Sequence, residues 1–144
     1  MSEEIQRVLP HREPFLFVDR LEEYDAEGVV GYRRFTDKDF FFRGHFPGYP
    51  VVPGVILIET MAQCGGAGVR MSGIVKNQGI FVLASVEKVK FRQQVRPGDE
   101  VRLVIKNLRV SERMLRQAGQ AFVGDALAAE AEWLCIITPE GLGS

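Results

Sequence analysis

Gly44-His45-Phe46-Pro47-Gly48-Tyr49-Pro50-Val51-Val52-Pro53, continuing into Gly54-Val55-Ile56-Leu57-Ile58-Glu59-Thr60-Met61-Ala62-Gln63, is where the texture of the chain changes. The first half is a turn of glycines and prolines with no room for regular backbone pairing. Pro53 then stands where proline is preorganised to begin a helix, since its missing N–H would have no partner there anyway. The apolar run Val55 to Ile58 continues through Met61, Ala62, Cys64, Ala67 and Val69 on nearly every side. A helix of that kind is buried on most faces. It is expected to run to about Ser72, roughly 30 Å at the α-helical rise. The β-branched run and Gly65, Gly66 and Gly68 lower helix propensity by up to ~1 kcal/mol each. Small residues fit a central helix against which strands pack closely.

Outward from that helix the apolar period shortens to two. Ile80 to Gln94, Glu100 to Val110, Leu115 to Val123 and Ala126 to Thr138 read as strands, with Pro97-Gly98-Asp99 and Gly124-Asp125 as hairpin turns. Ala129, Ala131, Trp133, Cys135 and Ile137 share one face of the last strand, and Glu130 and Glu132 share the other. Upstream, Glu3 to Val8 suits a short helix. Phe15 to Tyr24 and Val29 to Phe35 suit two strands, with Gly28 as the turn residue between them. The order predicts an α+β fold, an antiparallel sheet around one buried helix. A single sheet does not enclose a helix apolar on all sides, so a second protomer or a strongly curved sheet is expected over the remainder.

The chain has 144 residues, 18 basic and 19 acidic, for a net charge of −1. Without repeats, linkers or low-complexity tracts, it reads as a single domain over residues 1–144. The charge balance gives no global pull toward nucleic acid. No leader-like start and no membrane-spanning run are visible, because His45, Glu59, Gln63 and three prolines break the longest uncharged stretch, Gly44 to Val69. Cys64 and Cys135 form no paired motif and sit among apolar residues, as free thiols of a reducing compartment do. A cytoplasmic location is expected.

His45 and Glu59 are the residues that interrupt the otherwise uncharged stretch between Arg43 and Arg70. A carboxyl in an apolar helix needs a reason to be there. Gln63 lies one turn on, on the same face, where its amide can hydrogen-bond Glu59. Such a carboxyl can serve as a general acid, and a neutral imidazole as a base. The helix start adds the N–H groups of Gly54 and Val55, aimed outward and reinforced by the helix dipole, as a site for a developing oxyanion. Taken singly, a histidine in a turn or a glutamate on a helix is more often structural. Together they supply base, oxyanion donor and acid.

That central segment closely resembles the active-site segment of bacterial 3-hydroxyacyl-[acyl-carrier-protein] dehydratases of the FabZ type. Leu9-Pro10-His11-Arg12-Glu13-Pro14-Phe15-Leu16 and Val18-Asp19-Arg20 resemble the N-terminal signature of that family, and Phe91-Arg92 with Val95, Pro97-Gly98-Asp99 and Ala129-Glu130-Ala131-Glu132 its later blocks. The resemblance implies a hot-dog fold, a curved antiparallel sheet around a long central helix, and reversible dehydration of a (3R)-3-hydroxyacyl chain to the trans-2-enoyl chain. It implies His45 as base at C2, Gly54 N–H on the thioester carbonyl, Glu59 as acid with Gln63 orienting it, and no metal or other cofactor. It also implies an acyl carrier protein as partner and a homodimer, extending in some members to a hexamer, in which His45 of one protomer faces Glu59 of the other. Glu13 and Tyr49 depart from the family pattern, and Ser111 to Gln120 departs most. His11 is given a structural role.

Carrier proteins are acidic, so Lys88, Lys90, Arg92, Arg96 and Arg102 are candidates for docking, although a solvated strand face carries the same charges. Rival readings are a hot-dog thioesterase using Glu59 and a domain that only binds acyl chains. A metal site is weak, with His11 and His45 far apart in sequence and no ligand cluster near either.

Overall fold

The computed structural model describes residues 3–139. The order of elements is α1 (Glu3–Val8), β1 (Arg20–Tyr24), β2 (Gly28–Arg34), a short 3-10 turn (Phe40–Arg43), α2 (Gly54–Met71), β3 (Phe81–Phe91), β4 (Glu100–Val110), β5 (Met114–Val123) and β6 (Ala126–Ile137). The strands form one six-stranded antiparallel sheet in the order β1-β2-β4-β5-β6-β3. Its inner face wraps α2, which is the hot-dog arrangement.

Alternation decides which strand faces are inside. In β4, Val101, Leu103 and Ile105 point inward; in β6, Ala129, Ala131, Trp133, Cys135 and Ile137 do so, as their spacing predicts. The helix glycines let the sheet come close. A Cβ on Gly65 would stand 2.0 Å from Gln117 Oε1, and one on Gly68 2.5 Å from Val29 Cβ. Gln117 occupies the space that Gly65 leaves. Its Nε2 donates to the Gly65 carbonyl at 3.1 Å and to Asn107 Oδ1 at 2.7 Å, and its Oε1 accepts from Trp133 Nε1 at 3.1 Å. This buried amide joins helix to sheet with its donors and one acceptor position satisfied.

Three expectations change. The strand expected over Phe15 to Tyr24 begins only at Arg20. Leu16, Phe17 and Val18 are all buried without alternation, because this segment docks on α2 instead. There, Phe17 N–H donates to Gln63 Oε1 at 2.8 Å, and Phe15 O accepts from Gln63 Nε2 at 3.0 Å. Gly28 is the first residue of β2 rather than the turn residue; Asp25 makes the turn, its Oδ1 accepting from Glu27 and Gly28 N–H. Pro53 caps α2 from just outside the helix, whose first residue is Gly54.

The enclosure is incomplete. Val55, on the first turn of α2, is 71% exposed, and β3 is a long edge strand with Val82, Leu83 and Phe91 exposed. An apolar edge strand of this length invites pairing with another strand.

Candidate active site

The loop before α2 is held from behind by two aspartates on one buried arginine. Arg33 donates to Asp19 Oδ1 at 3.2 Å and to Asp39 Oδ1 at 2.5 Å, while Asp39 Oδ2 accepts from Thr36 N–H. The 3-10 turn that follows buries Phe41 and Phe42 in the core, and Phe41 O accepts the His45 N–H at 3.0 Å. His45 O in turn accepts Val51 N–H at 3.0 Å, closing the Gly/Pro loop on itself. Tyr49 donates from its hydroxyl to Gln94 Oε1 at 2.7 Å and lies under the Arg96 guanidinium at 4.5 Å. It ties the loop to the segment after β3.

The His45 ring is fixed by that loop. Nδ1 lies 3.0 Å from the Val51 carbonyl oxygen. A carbonyl only accepts, so Nδ1 carries a proton, and in the neutral ring Nε2 is the nitrogen that keeps its lone pair. The ring lines a cavity of about 560 Å³ with Val52, Gly54, Val55, Phe91 and Arg92 among its other walls. At its side α2 begins, and neither Gly54 N–H nor Val55 N–H has a hydrogen-bond partner among the described residues. The ring of Phe91 lies against Gly54, where a Cβ would come within 2.7 Å of Phe91 Cζ. Any side chain at position 54 would therefore displace the cavity wall.

Glu59 sits elsewhere. Its side chain, 25% exposed, lines a cleft of about 30 Å³ with His11, Ala62, Gln63, Phe81 and Cys135. Gln63 Nε2 donates to Glu59 Oε2 at 2.9 Å and, with its other hydrogen, to Phe15 O. Because Phe17 N–H needs an acceptor on the opposite side, the amide cannot flip without losing these bonds. The spacing argument that paired Gln63 with Glu59 thus describes the contact observed. Within one chain, however, His45 and Glu59 line different cavities.

His11 was missed as a neighbour of this carboxyl. Its Nε2 lies 3.6 Å from Glu59 Oε2. Burial lowers its pKa below the ordinary 6.5, outweighing the pull of Glu59, with Arg12 acting in the same direction as burial. No periodicity links a residue ahead of β1 to the middle of α2, so only the fold could bring them together. Cys135, on the far wall, is pushed up to about 12 by burial and by the charge of Glu59, and Cys64 is raised by burial alone; both thiols are free and un-ionised. Among the described residues no cluster of histidine, cysteine and carboxylate side chains could hold a metal, and no helix is long and apolar enough to cross a membrane.

Of the five basic candidates, Arg92 alone lines the 560 Å³ cavity. Arg92 also pairs with Glu130 at 2.9 Å, Lys88 pairs with Glu132 at 3.2 Å, and Arg102 lies over Phe122.

Comparison with known proteins matches residues 9–132 to the FabA-like domain. The chain is 44% identical to the 3-hydroxyacyl-[acyl-carrier-protein] dehydratase FabZ of Koribacter versatilis, over 94% of this chain and 88% of that one. It is 46% identical to the FabZ of Lawsonia intracellularis, over 90% and 86% respectively. Among solved structures, the dehydratase heterocomplex ApeI:P from Xenorhabdus doucetiae superposes with a TM-score of 0.80 at 14% identity, over 97% of this chain and 94% of that one. A hypothetical thioesterase from Streptococcus pneumoniae with coenzyme A superposes at 0.61 and 10% identity, over 83% and 88%. At those identities the structures speak for the fold alone.

Proposed function

The chain belongs to the FabA-like family, among its FabZ-type 3-hydroxyacyl-[acyl-carrier-protein] dehydratases, and on that premise we propose that His45 and Glu59 are its catalytic base and acid. It is a hydro-lyase that removes water from 3-hydroxyacyl-acyl-carrier-protein in fatty acid biosynthesis.

The observation that carries the proposal is the Nδ1 contact of His45 with Val51 O, which in the neutral ring puts the bare Nε2 beside an apolar cavity. In the forward direction Nε2 takes the C2 proton of the (3R)-3-hydroxyacyl thioester, and the C–H electrons move onto the thioester oxygen. Gly54 N–H, at the positive end of α2, stabilises that oxygen, with Val55 N–H beside it. As the electrons return to form the trans C2–C3 double bond, the C3–O bond breaks and Glu59 gives the departing hydroxyl its proton. His45 is left protonated and Glu59 ionised, and proton exchange resets both. Gln63 holds the carboxyl in place throughout.

The two cavities within one chain are reconciled by a homodimer in which His45 of one protomer faces Glu59 of the other. The exposed edge of β3 and the bare Val55 face of α2 support this reading, and three such dimers can close into a hexamer. The whole chain then acts as one dehydratase domain in the cytoplasm. The acidic carrier protein docks near Arg92 at the cavity mouth, with Lys88, Lys90, Arg96 and Arg102 as secondary contacts.

The test follows the enoyl-thioester absorbance band on crotonyl and longer enoyl thioesters, with free thiol measured in parallel. The band is expected to fall with the wild type, to persist with His45→Ala, and to fall without thiol release. Thiol release matching the loss of the band would mean a thioesterase.

A further inference from the structure

Glu59 has two carboxyl oxygens in unlike surroundings. Oε2 accepts the Gln63 Nε2–H at 2.9 Å and faces His11 Nε2 at 3.6 Å, whereas Oε1 accepts no hydrogen bond from any described residue. On the other side of the His11 ring, Nδ1 is buried with no hydrogen-bond partner among the described residues. A buried bare lone pair costs less than a buried orphan N–H, so the ring proton belongs on Nε2, facing the carboxyl.

We propose that His11 is a positioning residue that, with Gln63, commits the proton of Glu59 to Oε1. With Gln63 N–H donating to Oε2 and His11 Nε2 facing it, that oxygen is suited to accept in both states of the carboxyl, ionised or protonated. The acid form is thereby held with its O–H on Oε1, the oxygen no protein donor occupies and the one free to meet the leaving hydroxyl. At 3.6 Å the His11 contact is longer than a formed hydrogen bond, as such contacts often are before substrate closes the site. The neutral ring this requires is in keeping with its setting. Glu59 on α2 is the one carboxylate in the cleft, the Cys135 thiol on β6 is un-ionised, β3 contributes Phe81 and Leu83, and Arg12 on the segment of His11 itself disfavours a second positive charge.

This rests on Glu59 being the acid, and a double-mutant cycle separates the two claims. His11→Phe keeps the ring volume and removes the donor; His11→Gln keeps a donor near the place of Nε2 and cannot titrate. His11→Phe is expected to lower kcat for dehydration by about 10- to 100-fold with KM changed less than about 3-fold, and His11→Gln to recover most of that loss. In a Glu59→Gln background, His11→Phe should cost nothing further. Melting of each variant is followed alongside, and His11→Leu replaces His11→Phe if that variant does not fold. An equal loss from His11→Phe in both backgrounds, or His11→Gln as impaired as His11→Phe, overturns the proposal. So does full activity of His11→Phe when Glu59→Gln is inactive, which leaves the role of Glu59 standing. Wild-type turnover in Glu59→Gln overturns the role of Glu59 itself.

Discussion

His45 Nδ1 lies 3.0 Å from the carbonyl oxygen of Val51, and in the neutral ring this contact leaves Nε2 as the bare nitrogen facing the cavity. The same loop that places the ring also fixes its tautomer, so the base proposed at His45 needs no carboxylate partner of its own. In this respect it differs from a triad histidine, which is oriented by an acid.

Glu59→Gln keeps the size of the side chain and an acceptor for Gln63, but has no proton to give. Dehydration kcat is expected to fall by about 100- to 1,000-fold, with the melting temperature close to that of the wild type. Steady-state kinetics on a 3-hydroxyacyl thioester together with a thermal melt check this; unchanged kcat would remove Glu59 from the chemistry.

Gly54→Ala acts on the cavity wall. The new methyl would stand 2.7 Å from Phe91 Cζ, so the ring must move, and Phe91 is half exposed and free to swing into the cavity. KM for an acyl thioester should rise several-fold, on the order of 1 kcal/mol of binding. Adding Phe91→Ala should bring KM back toward the wild type. A rise in KM that persists in the double variant would assign the effect to Gly54 N–H instead.

Gln117→Leu tests the junction of helix and sheet. It leaves Trp133 Nε1–H and the Gly65 carbonyl buried without Gln117 as partner, at a cost of about 1–3 kcal/mol per group. Denaturant unfolding should show the loss, while activity well below the melting temperature stays near wild type. An equally stable variant would mean that water or repacking replaces the amide.

Acid should weaken the fold partly through His11. Its pKa in the fold lies below the ordinary 6.5, so the unfolded chain binds that proton more readily, and native stability falls as pH drops below 6.5 toward the lowered value. Between about pH 7.5 and 5.5, wild type should lose more stability than His11→Gln. Parallel losses in the two would show that other groups carry the acid response.

The helix, its glycines and the later strands were legible because each rests on a local period. Glu100–Val110 matches its expected bounds, and the alternating faces of β6 are those its residues predict. The Phe15 to Val18 segment was not legible as a non-strand: its apolar, β-favouring residues suit a strand, and only Gln63 across the core diverts its backbone bonds. The chemistry divides in the same way. His45, Gly54 and Glu59 stand close together in sequence, whereas His11 meets Glu59 through packing alone. Asp19, Arg33 and Asp39, which brace the His45 loop, were missed for the same reason.

The most direct test of a site shared between chains is complementation. His45→Ala and Glu59→Gln chains, each expected to keep little turnover alone, are coexpressed in equal amounts so that mixed dimers form. In a mixed dimer one site has both residues intact and the other has neither, so random pairing should restore about a quarter of wild-type turnover. Activity at that level is the predicted result. Mixed dimers no more active than either parent would contradict a site in which His45 and Glu59 come from different protomers.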